Sequence, residues 1–510
     1  MPVVSVERVP VRMWSLGVLG FDHLQIVFQH EFSRLKPRQD EWFVIEGVRD
    51  VEGPHVRLGV EGWDGATTLS DANSGLANEA LAERIGTSGS RGARVVAEHA
   101  SALDLWATLT SFAADVHAQQ FPYIPWTLPG SALPTINSSS LVASLLHHAG
   151  VDVDAALPSG LRFSPGTTTL LGTSRGDTLE ADARFTTLVA GDGDDILAGG
   201  NEPSQIEKLY GGRGNDTLRW SLGFNILHGG QPGLAYDQDG TDAVDYTGAG
   251  PVTIEAPPQS VPHRTPDFIA GFKGGLDHLY SIEEITWNGT GDRVVIGRGV
   301  GLTSTPPKFK FSPANETTGG DGNVLDLSQA EVGFDVWSSA SGDLRLVGRR
   351  DGGHAELAVS GLPRVVASPH ADRFILVEAG SSLTVEDASK DDRIIVPWTP
   401  SRIVTSYDTA TREAVLRLYA DEAETPPAEI SIRRFEPGDL ALDLSQPFRL
   451  EPDGEHDSVL VSWASPVAGD GPWAFGDALA VDALGFGNPM GGFFMPSVAD
   501  LGAVVLPGFE

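Results

Sequence analysis

A nine-residue period between Gly172 and Asp245 restricts what this chain can become more than any other feature. Set in nines, the stretch reads GTSRGDTLE, ADARFTTLV, AGDGDDILA, GGNEPSQIE, then GGRGNDTLR and WSLGFNILH after Lys208–Tyr210, and DQDGTDAVD after an insertion beyond Gly229–Gly230. The eighth place is aliphatic throughout: Leu179, Leu188, Leu197, Ile206, Leu218, Leu227 and Val244. A recurring aliphatic position marks a repeating structural unit. The sixth place alternates between acidic and uncharged: Asp177, Thr186, Asp195, Ser204, Asp216, Asn225, Asp242.

Two nonamers per coil of a flattened parallel β-helix explain that alternation. Turns two repeats apart then stack on one edge, so the four aspartates share an edge and Thr186, Ser204 and Asn225 share the other. Stacked strands lie about 4.8 Å apart. Carboxylates at that spacing repel by roughly 3 kcal/mol per pair at an effective dielectric of about 20. A cation between them is therefore expected. Calcium suits such a site, because it is hard, prefers oxygen and takes about 6–8 carboxylate and carbonyl ligands in flexible geometry. Glycines let the turn backbone reach left-handed angles and aim its carbonyls inward.

AGDGDDILA and GGRGNDTLR resemble the RTX (hemolysin-type) nonapeptide G-G-x-G-x-D-x-U-x, a calcium-binding β-helix repeat. The resemblance implies Asp195 and Asp216 as side-chain ligands, with backbone carbonyls from Gly191, Gly193, Gly212 and Gly214 nearby. Asp177 and Asp242 match more loosely, since their turns lack the leading glycine pair. The adjacent Asp-bearing turns have room for about two to four ions.

Composition narrows the partners. The 510 residues carry 69 acidic against 35 basic side chains, a formal charge of −34, which argues against nucleic acid and anionic membranes. It suits a cation-loaded protein. The absence of cysteine excludes disulfides, zinc–thiolate sites and thiol catalysis. No stretch approaches the ~18–20 apolar residues needed to span a bilayer. The N-terminus, MPVVSVERVPVRMWSLGVLG, does not read as a signal peptide, because Glu7, Arg8 and Arg12 interrupt a short apolar run.

Residues 1–165 read as a small α+β domain. DHLQIVFQ alternates Leu24, Ile26 and Phe28 as a half-buried strand does, and EWFVIEGV and HVRLGVEGW read as two more. Residues 99–120 place Leu103, Trp106, Leu109 and Ala113 on a helical stripe, ended by the Pro-rich FPYIPWTLPGSALP. A second helix starts at the N-cap Asn137 and runs to Gly150, with Ser138, Leu141, Val142 and Leu145 on its inner face.

DHLQIVF and NSSSLVASLL together resemble the circularly permuted papain-like (NlpC/P60-related) hydrolases, in which a strand histidine precedes an Asn-Cys step opening a helix. The resemblance implies His23 and Ser138 as catalytic candidates. Ser138 stands where that family has its nucleophilic cysteine, and a serine needs a well-oriented base and an oxyanion hole. The competing reading makes Ser138 a capping-turn residue and His23 a packed strand histidine. His147 and His148 are adjacent on a helix, about 100° apart, and chelate poorly; they are expected exposed near its C-terminus, where the helix dipole favours them.

Beyond the nonamers the signal weakens. DHLYSIEEITWNGTGDRVVIG resembles the segments that link RTX blocks, and Asp292, Asp321, Asp326 and Asp372 echo the sixth place. The alternating stretches VWSSASGDLRLVGRRDGGHAELAVSG and RIVTSYDTATREAVLRLYA read as strands and hairpins. Residues 166–250 are thus the expected calcium-binding β-roll, and 251–445 a degenerate β-roll or β-solenoid extension.

From Leu450 to Glu510 there is no Lys or Arg among scattered aromatics. Residues 446–510 read as a C-terminal cap, and the RTX resemblance implies a type I export signal there. The expected fold is mainly β, with a β-roll preceded by the α+β domain. The expected function is a secreted, calcium-binding structural or interaction protein. An extracellular hydrolase using Ser138 and His23 is the first alternative, and a self-associating surface-layer or adhesive protein the second.

Overall fold

The computed structural model describes residues 2–11, 21–29, 42–50, 57–62, 93–127, 131–159, 161, 164–200, 202–231, 240–257, 266–287, 291–300, 308–311, 323–349, 356–361, 364–420, 426–436, 439–441, 448–452 and 459–463. The molecule is mainly β. Its contacts define one unit ending at Asp242 and a second beginning at Ala243. Among the described residues no helix is long and apolar enough to cross a membrane.

The first unit opens with an antiparallel sheet of strands β1 (Val3–Val11), β2 (Phe21–Gln29), β3 (Trp42–Asp50), β4 (Arg57–Glu61) and β5 (Arg94–Glu98), in the order β4-β3-β2-β1-β5. The short apolar run at the N-terminus therefore forms an interior strand, β1, paired on both sides. Helices α1 (Ala100–Gln119) and α2 (Ser138–His148) follow, with a short α3 (Val153–Ala156).

Trp106, Leu109 and Ala113 are buried on α1 as the periodicity predicts, whereas Leu103 is 47% exposed. Ala102 and Val116 complete the inner stripe instead. The ring of Trp106 stacks on Phe28 at 5.1 Å, which places α1 on the face of β2 that carries Leu24, Ile26 and Phe28. Asn137 caps α2 by accepting from the backbone N–H groups of Ser139 and Ser140, and Ser140 Oγ accepts from Asn137 N in return.

After α3 the chain passes alternately between two parallel sheets. One holds β6 (Thr169–Leu171), β8 (Thr187–Asp192), β10 (Ile206–Arg213) and β12 (Gly223–His228); the other holds β7 (Thr178–Glu180), β9 (Ile196–Ala198) and β11 (Thr217–Arg219). Leu170, Leu188, Leu209 and Leu227 stand in register across the first sheet, and Leu179, Leu197 and Leu218 across the second. Each coil thus spends two nonamers, and all seven leucines are at most 5% exposed.

The fourth repeat corrects the register expected from sequence. Leu209, not Ile206, occupies its core position, so the three extra residues precede Glu202 rather than follow Glu207. Ile206 is 44% exposed. The shift keeps the leucine ladder continuous and brings Glu207, not Ser204, to the sixth place. Leu209→Ala should accordingly cost about 2–5 kcal/mol through the cavity it leaves, and Ile206→Ala no more than about 0.5 kcal/mol. Denaturant midpoints of the two variants check this, and equal shifts would restore the original register.

In the second unit the same alternation continues with interruptions. Val252–Glu255, Arg293–Ile296, Val324–Asp326, Arg364–Val366, Ser382–Glu386 and Ala428–Arg433 pair in sequence as parallel strands. Antiparallel hairpins are set into the sheets at Phe334–Ser338 with Leu344–Gly348 and at Arg402–Asp408 with Glu413–Tyr419. These are the two stretches whose alternation predicts hairpins. Of the expected C-terminal cap, Phe448–Pro452 and Val459–Trp463 form an antiparallel pair, the latter bonded to Arg393–Val396. Residues 464–510, and with them most of the expected export signal, lie outside the described residues.

Candidate functional site: an aspartate ladder

The turns that leave β6, β8 and β10 for the opposite sheet stack one on another and bring Asp177, Asp195 and Asp216 into one row, which Asp242, just before the strand Ala243–Asp245, extends by one. The backbone N–H of Asp177 donates to Asp195 Oδ1 at 2.6 Å, that of Asp195 to Asp216 Oδ1 at 2.9 Å, and that of Asp216 to Asp242 Oδ1 at 3.0 Å. A second ladder runs the other way one residue earlier. Asn215 N donates to Asp194 Oδ1 at 2.8 Å and Thr241 N to Asn215 Oδ1 at 2.9 Å. Neighbouring turns are therefore tied in both directions along the stack.

Glycines make this spacing attainable. Gly191, Gly193, Gly212 and Gly214 have φ of 109°, 128°, 118° and 127°, a region other residues rarely enter. A Cβ at Gly212 would overlap the carbonyl oxygen of Gly191, and one at Gly214 that of Gly193. The carbonyls of one turn thus reach toward the next turn along the row.

The carboxylates differ in how they are satisfied. Asp195 and Asp216 are 1% exposed, and each spends Oδ1 on the neighbouring turn while Oδ2 is buried with no hydrogen-bond partner. Burial, reinforced by the acids around them, raises Asp195 to about 7 and Asp216 to about 8. A buried acceptor without a donor is costly, and two in adjacent turns fit a cation held there. Asp177 ends the row differently: its Oδ2 accepts from Thr173 N at 2.6 Å and from Thr173 Oγ1 at 3.1 Å. Thr173 stands four residues before its aspartate, where Gly191 and Gly212 stand before theirs. Among the described residues no three His, Cys, Asp or Glu side chains converge as a metal centre. The acids form a file, so any ion here would draw much of its shell from backbone oxygen.

The opposite edge is not uncharged. Thr186, Glu207 and Asn225 stack there, and Glu207 is 1% exposed. Its Oε1 accepts from Gly200 N at 2.8 Å and its Oε2 from Ser221 Oγ at 2.7 Å. Protein donors meet both oxygens, which is why this edge tolerates a buried acid.

The later candidates are closed in similar ways. Asp326 accepts from Arg293 Nε at 3.0 Å and from Ser328 N, so a guanidinium occupies its carboxylate. Asp372 accepts from Phe334 N, Ser368 N and Ser368 Oγ at 2.7–2.9 Å, while its own N–H donates to Asp392 Oδ1 at 2.8 Å. Asp392 Oδ2 in turn accepts from Ser389 N. Asp292 donates its N–H to Asn323 Oδ1 at 3.1 Å. The rung geometry recurs in the second unit with Ser and Arg supplying the donors. Asp321 lies outside the described residues.

His23 and Ser138 are not brought together as a nucleophile and its base. Gln25 faces Glu46 across β2 and β3, so His23, Gln25 and Glu46 share one face of the sheet. His23 Nε2 lies 2.9 Å from Glu46 Oε2 on that face. Gly47 points the other way, where its missing Cβ would lie 2.8 Å from Ser138 Cα. Helix α2 therefore approaches the sheet from the side opposite to His23, and Ser138 is buried in its first turn. At the other end of α2, His147 is exposed, whereas His148 Nε2 bonds to the Leu171 carbonyl at 2.7 Å.

Gln119 is the residue that sequence reading passed over. At the end of α1, its Oε1 accepts from Asp192 N at 2.7 Å, inside the Gly191–Asp195 turn. A lone amide at a helix end carries no pattern that could have flagged it. Comparison with known proteins adds no relative: no protein-family model matches this chain, and no curated protein matches its sequence.

Proposed function

We propose that this chain is a secreted calcium-binding protein of the RTX type, with a structural or interaction role, whose first coils complete their folding when calcium reaches them outside the cell. The observation that carries this reading is the pair of buried, donor-less oxygens, Asp195 Oδ2 and Asp216 Oδ2, in consecutive turns of one row. Asp195 and Asp216 would hold the ion, with backbone carbonyls of Gly191, Gly193, Gly212 and Gly214 as the accompanying oxygens. Calcium supplies there the positive charge and the flexible oxygen shell that the file of acids lacks.

What the chain itself contributes is preorganisation. The glycine turns set the carbonyls, and the Asp N–H to Asp Oδ1 bonds fix each carboxylate's inner oxygen so that the outer one is left over. Thr173 closes the row at Asp177, so Asp195 and Asp216 are the principal ligands and Asp177 an end piece. The formal charge of −34 supports the reading further, because the acid-rich unfolded chain is disfavoured from collapsing until cations are bound. The Lys- and Arg-free tail supports export by a one-step route.

Far-UV circular dichroism of the full chain, in calcium and in chelator, tests the proposal. A gain of β signal with calcium but not with magnesium is expected. Superimposable spectra in all three conditions would remove it.

A further inference from the structure

The peptide unit between Gly191 and Asp192 faces two ways. Its carbonyl oxygen reaches toward Gly212 of the next turn, into the space a Cβ there would fill. Its N–H, antiparallel to that carbonyl in a planar trans peptide, donates to Gln119 Oε1 at 2.7 Å. Gln119 is 2% exposed, and a Cβ at Gly191 would lie 2.8 Å from Gln119 Oε1 and 3.1 Å from the ring of Phe121. One peptide thus joins the aspartate row to the end of helix α1.

That helix end is itself anchored. Leu58 N of strand β4 donates to the Phe121 carbonyl at 2.7 Å, and Val60 N donates to His117 Nδ1 at 3.3 Å. The neighbouring coils touch the same layer. Leu171 N on β6 donates to Ser144 Oγ at 2.8 Å, while Lys208 Nζ on β10 donates to the Leu133 carbonyl at 3.1 Å and Tyr210 Oη to that of Ala132. Of these links, only the one through Gln119 enters a turn of the acid row.

We infer that Gln119 couples the α+β layer to cation loading of the Gly191–Asp195 turn. This rests on the calcium reading above. With a cation drawn to the Gly191 carbonyl, the same peptide's N–H becomes a stronger donor, because hydrogen-bonded groups polarise one another. The end of α1 is then held more firmly. Linkage makes the effect mutual: a docked α1 raises the turn's affinity for calcium by the same factor.

Hydrogen exchange of the full chain, followed over a calcium titration, reads both ends separately. In the wild type, peptides covering 110–121 and 187–198 should gain protection at one shared calcium midpoint. In Gln119→Met, which keeps bulk but loses the acceptor, the 187–198 midpoint should move about fivefold higher, and protection of 110–121 should stop following calcium. Gln119→Glu retains an acceptor and should keep the two responses together.

If 187–198 responds in the wild type while 110–121 is indifferent to calcium, the coupling is refuted and the calcium reading stands. If Gln119→Met leaves both responses at the wild-type midpoint, Gln119 is not the link. If neither segment responds, the calcium reading fails and the coupling with it.

Discussion

On the proposed calcium reading, replacing Asp195 and Asp216 together by asparagine is expected to abolish any stabilisation by calcium. At an ion concentration 100 times Kd, each site linked to folding adds about 2.7 kcal/mol, so two sites separate wild type from variant by roughly 5 kcal/mol in calcium. In chelator the order changes with pH. Burial lifts Asp195 to about 7 and Asp216 to about 8 from the ordinary 3.8. The folded chain therefore keeps protons that the unfolded chain releases, and stability is lost as pH rises from near 4 through 8. The chelated wild type should melt several degrees lower at pH 8 than at pH 5, and the double variant should show a shallower fall.

On the same reading calcium binding would displace these protons and should tighten across the same interval. Glu7 and Asp372, both raised to about 7 by burial, contribute a calcium-independent part of the slope, so the comparison that matters is between variant and wild type. Melting curves at several pH values, with and without calcium, measure all of this. A Glu207→Gln chain serves as the control from the other edge, and its calcium response should match wild type. If Glu207→Gln lost the calcium response as fully as the double variant, the assignment of the acid row would be wrong.

The second large effect is expected from Gly212→Ala. The position has φ of 118°, and its added methyl would meet the Gly191 carbonyl oxygen, a backbone atom with nowhere to go. Strain at such a position and the forced separation of two stacked turns together should cost about 3 kcal/mol or more. The loss should appear in calcium and in chelator alike, and calcium should no longer restore wild-type stability because the carbonyl is displaced. By contrast, at Gly150, whose φ is 71°, an added Cβ meets nothing within 4 Å, so Gly150→Ala should cost only the conformational part, about 1 kcal/mol. Equal losses at the two glycines, read from denaturant midpoints, would show that turn stacking is not what Gly212 protects.

Much of the first unit could be read from residue order because its rules are local. Asn137 before a serine-rich helix start, the aliphatic eighth place and the acids that share one edge all follow from spacing along one chain segment. The failures share a different cause. Ile206 and Leu209 are both aliphatic and three apart, so the period alone cannot choose between them; the neighbours Leu188 and Leu227 decide. The face that His23 presents depends on strand parity across β1, β2 and β3, which only pairing fixes. Arg293 neutralises Asp326 from 33 positions away, and no local motif announces such a partner. Strand β1 was hidden because a short apolar run at an N-terminus looks the same whether it pairs with neighbours or not.

The contrast between Thr173 and Gly191, each four places before an aspartate of the row, reaches beyond this one turn. At Thr173 and again at Ser368 a hydroxyl and its own N–H seal the carboxylate, while at Gly191 and Gly212 nothing does. The two kinds of turn differ in backbone as well, since φ is 109° at Gly191 and 118° at Gly212 while Thr173 and Ser368 take no positive φ. On the calcium reading, each level of the stack is thus committed to an ion or to a hydroxyl by its whole turn. On that reading a lineage of such chains would have to exchange turn backbone and sealing residue together to lose its thirst for calcium at one level, because a side chain placed at Gly191 or Gly212 alone would meet Gln119 or the Gly191 carbonyl.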